Sequence, residues 1–291
     1  MLLETNAPRF RVHSHAPIHA SARIMAYLEI AGFANISKMK SLKIDSSLVV
    51  ALLEKWRPET HTFHLPTGEF TITLEDVCML LGLRVDGIAI NGPTEVTNYI
   101  YMENLGVEPT EEDKIKGSVR ITWLEGLYET LKNKPAPTQE DVLLEAKIYI
   151  LLVIATILFP DKSQNLLHSS WIPFVGDLLK CGTYSWSSAC LAKLYREMCK
   201  AAVKSVRSLS GCALLLTSWA FTRIPLFTPV TTVEPSHPYA QRWAQRGMNY
   251  TANPRFHLQG CRNALDHMRE HDFIWRPYIR YPPPTLEDSQ I

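Results

Sequence analysis

No apolar stretch of this chain is long enough to cross a bilayer as a helix. Ile148–Pro160 and Ser208–Thr222 run 13 and 15 residues without a charge. A span needs about 20, so both read as helices buried in a large core. The six cysteines (Cys78, Cys181, Cys190, Cys199, Cys212, Cys261) form no C-x-x-C pair and sit in apolar surroundings. That usage argues against an extracellular disulfide framework and for reduced thiols. Arg9, Arg11, His13 and His15 are followed by no apolar leader core, so no signal peptide is expected. A soluble intracellular protein is the expectation.

Catalytic signatures are missing as well. The chain holds no G-x-x-x-x-G-K-[ST] phosphate loop, no G-x-G-x-x-G after a strand and no G-x-S-x-G elbow. It shows no strand-rich α/β pattern of the kind a pyridoxal-phosphate enzyme would require. No cofactor and no enzymatic activity are expected.

What remains is ordinary globular material in 291 residues, 46% apolar and 20% charged. Its net charge of +1 hides an asymmetry. Residues 1–180 carry 17 basic against 22 acidic side chains, and residues 181–291 carry 13 against 7. The basic part either complements the acidic part within one fold or faces a polyanion.

Helical spacing marks Arg23–Phe33, Ser46–Trp56 behind an Asp45 cap, Ile121–Leu131, Thr138–Phe159, Ser185–Leu209, Cys212–Thr222 and Gln259–His271, with shorter pieces at Trp171–Leu179 and Tyr239–Arg246. Between Thr60 and Leu74 the period changes. Two Thr/Phe/Ile-rich runs flank Pro66-Thr67-Gly68-Glu69, a β-hairpin in which Gly68 supplies a positive φ. Thr73 and Asp76, and again Thr138 and Asp141, are spaced as capping boxes. Arg84–Pro109 reads as loop. The predicted fold is mainly α: a single large helical domain over 21–280 with a small β-hairpin near 60–74. An irregular tail (1–20) precedes it and a Pro-rich end (281–291) follows.

Several strings then match a known family. Trp56-Arg57-Pro58-Glu59-Thr60-His61-Thr62-Phe63-His64-Leu65-Pro66, Gly68-Glu69, Thr71-Ile72-Thr73-Leu74-Glu75-Asp76-Val77 and Leu80-Leu81-Gly82-Leu83 resemble the signature of the plant mobile domain. The likeness continues through Leu158–Ser163, Tyr184-Ser185-Trp186, Ala189–Ala192, Leu194-Tyr195-Arg196, Gly211-Cys212, Trp219, Arg242-Trp243 and Trp275-Arg276-Pro277-Tyr278. Ser187 stands where the family usually has Gly, and Arg84 where Pro is common.

The family, also labelled aminotransferase-like, is similar to segments of plant transposable elements. Some members, of the Maintenance of Meristems type, are nuclear proteins of transposon silencing and meristem integrity. Others are fused to a phosphatase-like domain, the long form of serine/threonine phosphatase seven, whose metal-binding motifs this chain lacks. The resemblance implies a nuclear interaction or regulatory module with a protein partner, such as a phosphatase-like relative. It carries over no catalytic residue. Its signature positions Trp56, Arg57, His61, His64, Gly68 and Glu69 are structural or docking residues.

Two further motifs bear on chemistry. His267-Met268-Arg269-Glu270-His271 has the H-x-x-E-H spacing that on a helix brings two histidines to one face around a zinc. A catalytic zinc needs a third protein ligand, and Glu287 in the Pro-rich end is a poor one, so a surface helix with polar pairs is the expectation and metal-dependent hydrolysis the weaker alternative. His61 and His64, three apart on a strand, fall on opposite faces and do not share a metal. In Ser185–Leu209, Lys193, Arg196, Lys200, Lys204 and Arg207 recur at intervals of 3, 4, 4 and 3, and apolar residues take the other side. That stripe is a solvated face, a site for an acidic partner, or a nucleic-acid contact of transposon origin.

Overall fold

Apolar residues at three- and four-residue spacing place most of the chain in helices. In the computed structural model these are α1 (Met25–Ile30), α2 (Ser46–Lys55), α3 (Leu74–Leu81), α4 (Ile100–Leu105), α5 (Ile121–Lys132), α6 (Gln139–Val153), α7 (Leu178–Cys181), α8 (Trp186–Ala201), α9 (Ala213–Arg223) and α10 (Leu258–Asp266). The strands are short: β1 (Arg11–Val12), β2 (Trp56–Arg57), β3 (Thr62–Leu65), β4 (Gly68–Phe70), β5 (Lys114–Ile115), β6 (Ser118–Arg120), β7 (Leu166–His168) and β8 (Ser208–Leu209). The structure describes residues 11–12, 18–39, 44–91, 99–161, 165–202, 208–231, 233–243 and 257–279. The Pro-rich end and most of the tail lie outside them.

The fold is mainly α with small β elements, and every helix contributes to one buried apolar cluster. Among the described residues no helix is long and apolar enough to cross a membrane.

The local signals for the helix starts act as read. Asp45 accepts from the Ser47 and Leu48 amides at 2.8 and 3.3 Å and opens α2. Thr73 and Asp76 form a reciprocal capping box on α3, and Thr138 with Asp141 does the same on α6. Gly82 ends α3 at φ 70, where a Cβ would also meet the Asn35 side chain at 2.4 Å.

β2, β3 and β4 form an antiparallel three-stranded sheet in that order. Leu65 pairs with Gly68, so Pro66-Thr67 is a two-residue turn and Gly68, at φ 135, begins β4. Register puts Trp56 opposite Phe63, and Phe63 opposite Phe70. The three aromatics therefore share the inner face, where Trp56, Phe63, Ile72, Leu80 and Leu81 are all buried.

Several expectations are corrected. The helix expected over Ser185–Leu209 is α8, which stops at Ala201. Ser208 and Leu209 instead pair in parallel with Arg11 and Val12 of the tail. Serine is a weak helix former, and at Ser208 a strand partner outcompetes the helix. The helix expected to reach His271 is α10, which ends at Asp266. Thr138–Phe159 divides into α6 and a π-helical turn at Ile154–Leu158. The loop expected over Arg84–Pro109 contains α4, closed by Gly106 at φ 71. The β5–β6–β7 sheet had no signal, because its strands are two or three residues long and Leu166–His168 joins from far along the chain.

Candidate functional site

The hairpin sheet lies against α8, and its two faces differ in chemistry. The inner face is aromatic. Trp56 packs edge-on against Phe63 (4.9 Å between centroids) and Tyr195 of α8 (5.2 Å), and Phe63 stacks on Trp219 of α9 at 5.1 Å. The outer face is polar: Thr62 donates to Glu69 at 2.9 Å, and His64 lies 3.3 Å from the same carboxylate. Arg57 opposite Thr62 is exposed.

His61 precedes β3 in the left-handed region at φ 54, uncommon for a residue other than glycine. The Thr71 hydroxyl donates to the His61 carbonyl at 2.7 Å and lies 2.5 Å from the Tyr195 hydroxyl, while Tyr195 reaches the Ile72 carbonyl. The His61 ring stacks 6.1 Å from Trp56 and tilts 5.5 Å from Tyr195.

His61 thereby forms one wall of an open depression of about 660 Å³, whose other lining residues are Ala192, Tyr195, Arg196, Cys199 and Lys200. Positions 192, 195, 196, 199 and 200 are one helix face by their spacing. Beneath them Trp56 donates its indole N–H to the Cys199 sulfur at 3.4 Å. One signature residue and two of the five stripe cations meet here.

Of the stripe, Lys193, Arg196 and Lys200 lie on α8. Lys204 and Arg207 follow the end of α8 and lie outside the described residues. Lys193 and Lys200 flank Glu197, a buried carboxylate, at 3.2 and 2.7 Å. Burial pushes the Glu197 pKa up, but the Lys200 hydrogen bond and the Lys193 charge outweigh it and leave the carboxyl below its ordinary range. Arg196 is exposed, with no carboxylate at ion-pair distance among the described residues.

The H-x-x-E-H reading is also corrected. His267 caps the end of α10, its Nδ1 2.9 Å from the Asn263 carbonyl, and Glu270–Asp272 form a separate 3-10 turn. The two histidines therefore do not share a helix face. Among the described residues no group of three or more His, Cys, Asp or Glu side chains is placed to hold a metal.

One cluster had no signal beyond the capping box. Asp76 is fully buried and accepts from Arg223 Nε and Nη2 at 2.9 and 2.7 Å and from Tyr278 at 2.8 Å. Its second oxygen holds the Thr73 N–H and hydroxyl. Arg223 also donates to the Trp275 carbonyl at 2.6 Å. Glu145, likewise buried, holds Ser21 and Arg23, both at 2.6 Å.

Two of the strings behind the family resemblance thus meet: Asp76 of the Trp56–Leu83 string and Tyr278 of the Trp275–Tyr278 string are hydrogen-bonded. The plant mobile domain family model matches residues 32–290. The chain belongs to the plant mobile domain family. It is 35% identical over 261 residues to the Serine/threonine-protein phosphatase 7 long form homolog of Arabidopsis thaliana, covering 85% of this chain and 19% of that protein. With Protein MAIN-LIKE 2 it shares 33% over 255 residues (86% and 38%), and with Protein MAINTENANCE OF MERISTEMS 30% over 275 residues (92% and 56%), both from the same plant. The chain therefore spans only part of each of these relatives. No solved structure matches.

In this plant mobile domain, the Trp275–Tyr278 string anchors on Asp76 and Arg223, and the Trp56–Leu83 string supplies the aromatic ladder and the His61 wall. The two departures from the family pattern touch each other: Ser187 donates its amide to the Arg84 carbonyl at 3.2 Å and its hydroxyl to Leu83 at 2.9 Å.

Proposed function

We propose that this plant mobile domain is a non-enzymatic interaction module of a nuclear regulatory assembly, with the depression between His61 and α8 as its docking face. The observation that carries the reading is His61: a non-glycine residue held at positive φ by a hydroxyl bridge, with its ring beside an exposed Arg196 that no carboxylate of the described residues pairs. Strained backbone persists where the surroundings enforce it, and often where it serves function. The family membership and the meristem role printed in one relative's name support a regulatory setting. A role in transposon silencing, nuclear residence and a phosphatase-like partner belong to the same proposal. Affinity purification of the tagged chain from plant nuclei tests it. A partner at stoichiometric yield is expected, and recovery of none contradicts the reading.

A duplex-binding role is the second reading, and the cations of α8 favour it. Against it stands Glu197, which neutralises Lys193 and Lys200 in part.

A further inference from the structure

The depression has a definite chemical character. Ala192, Tyr195 and Cys199 give it an apolar floor, and Arg196 and Lys200 stand on the same helix face. The Lys200 side chain is 44% exposed although it contacts Glu197, so its ammonium can reach a second carboxylate. Among the described residues no carboxylate pairs with Arg196. A nucleic-acid groove needs cations free at phosphate spacing, and Glu197 interrupts this row. One free guanidinium beside an apolar floor instead complements a carboxylate next to an apolar side chain. The His61 wall is already fixed by Thr71, Trp56 and Tyr195, so a ligand would have little here to order on binding.

We infer that the depression takes a short acidic peptide segment of a partner protein. A ligand carboxylate pairs with Arg196 and Lys200, and the neighbouring apolar side chain rests on Ala192, Tyr195 and Cys199. This rests on the docking-face reading above and names the chemistry of the partner.

The test uses the full chain and a fluorescein-labelled ten-residue peptide alternating aspartate and leucine, followed by anisotropy. An asparagine–leucine peptide and a 12-base-pair duplex serve as competitors. Losing the charge-assisted contacts should weaken binding about ten- to a hundredfold. The asparagine peptide and the Arg196→Glu variant should each show that loss, and Lys200→Glu a smaller one. Arg196 lies on an exposed helix face, so an unchanged Tm is expected for Arg196→Glu, whereas Lys200→Glu also removes a partner of the buried Glu197 and should lower the Tm. Bound peptide should also slow N-ethylmaleimide labelling of Cys199, with Cys78, half-buried on α3, as the internal reference.

Equal binding of both peptides, full binding by Arg196→Glu, or unaltered Cys199 labelling overturns the inference. So does a duplex that displaces the peptide and itself depends on Arg196. If the peptide fails while wild type and Arg196→Glu capture the same nuclear partner, the acidic-peptide inference falls and the interaction module stands. Capture of no partner by either protein removes the module itself.

Discussion

Asp76 and Arg223, 147 residues apart, form a buried ion pair that joins the start of α3 to the end of α9. Tyr278 and the Trp275 carbonyl complete it, so the Trp275–Tyr278 string is fastened to the start of α3 through the Asp76 carboxylate. Burial and the nearby Asp76 charge push the Tyr278 phenol well above its ordinary range, and it stays a donor at any working pH.

Removing one member of a buried pair strands the other charge in a low-dielectric core and costs about 3–5 kcal/mol. Asp76→Asn and Arg223→Met are each expected to lose about that much in urea unfolding. Tyr278→Phe removes one hydrogen bond to a charged group, worth about 1.5–3 kcal/mol. Equal, small losses in all three would mean the cluster is not a fastening point.

The hairpin separates stability from surface chemistry. Trp56→Ala empties a fully packed site and should cost about 3–5 kcal/mol. Arg57→Ala and His64→Ala, on the outer face, should stay within about 0.5 kcal/mol. Thermal unfolding of the three variants checks this, and a Trp56→Ala protein melting with wild type would contradict the packing.

Glu197 gives a pH signature. Its folded-state pKa is depressed from the ordinary 4.5. The ion-paired carboxylate therefore adds stability above that value and loses it as pH falls through the lower folded value. Glu197→Gln should flatten the stability–pH curve below about pH 4.5 relative to wild type. An unchanged acid limb would show that Lys193 and Lys200 do not stabilise the charged form.

Duplex binding is expected to be weak and only mildly salt-dependent. Three free cations on α8 would give a log–log salt slope of roughly −2.7, at about −0.9 per phosphate. With Glu197 taking up two of them, Arg196→Ala should change the measured slope by no more than about 1. A duplex slope near −4.5 (five phosphates) that collapses in Lys193→Ala with Lys200→Ala would favour the nucleic-acid reading instead.

Local chemistry was the legible part of the sequence. Caps at Asp45, Thr73 and Thr138 act within four residues, and they appear where their spacing put them. The alternation around Pro66 likewise revealed the hairpin. What stayed hidden depends on distant chain. Asp76 reads as a capping residue, and only the fold brings Arg223 and Tyr278 to its other oxygen. Helical periodicity past Ala201 misled because the competing partner of Ser208, Arg11, lies in the tail. For the depression, the signature string and the basic stripe were each visible, but their meeting at His61 and Arg196 required the packing of the sheet on α8.

Hydrogen–deuterium exchange on the purified complex with the nuclear partner tests the docking face most directly. The account predicts partner-dependent protection over residues 57–69 and 192–200, with the remaining described helices unchanged. Protection confined to another surface, such as the exposed Ile30 and Leu179, would contradict it.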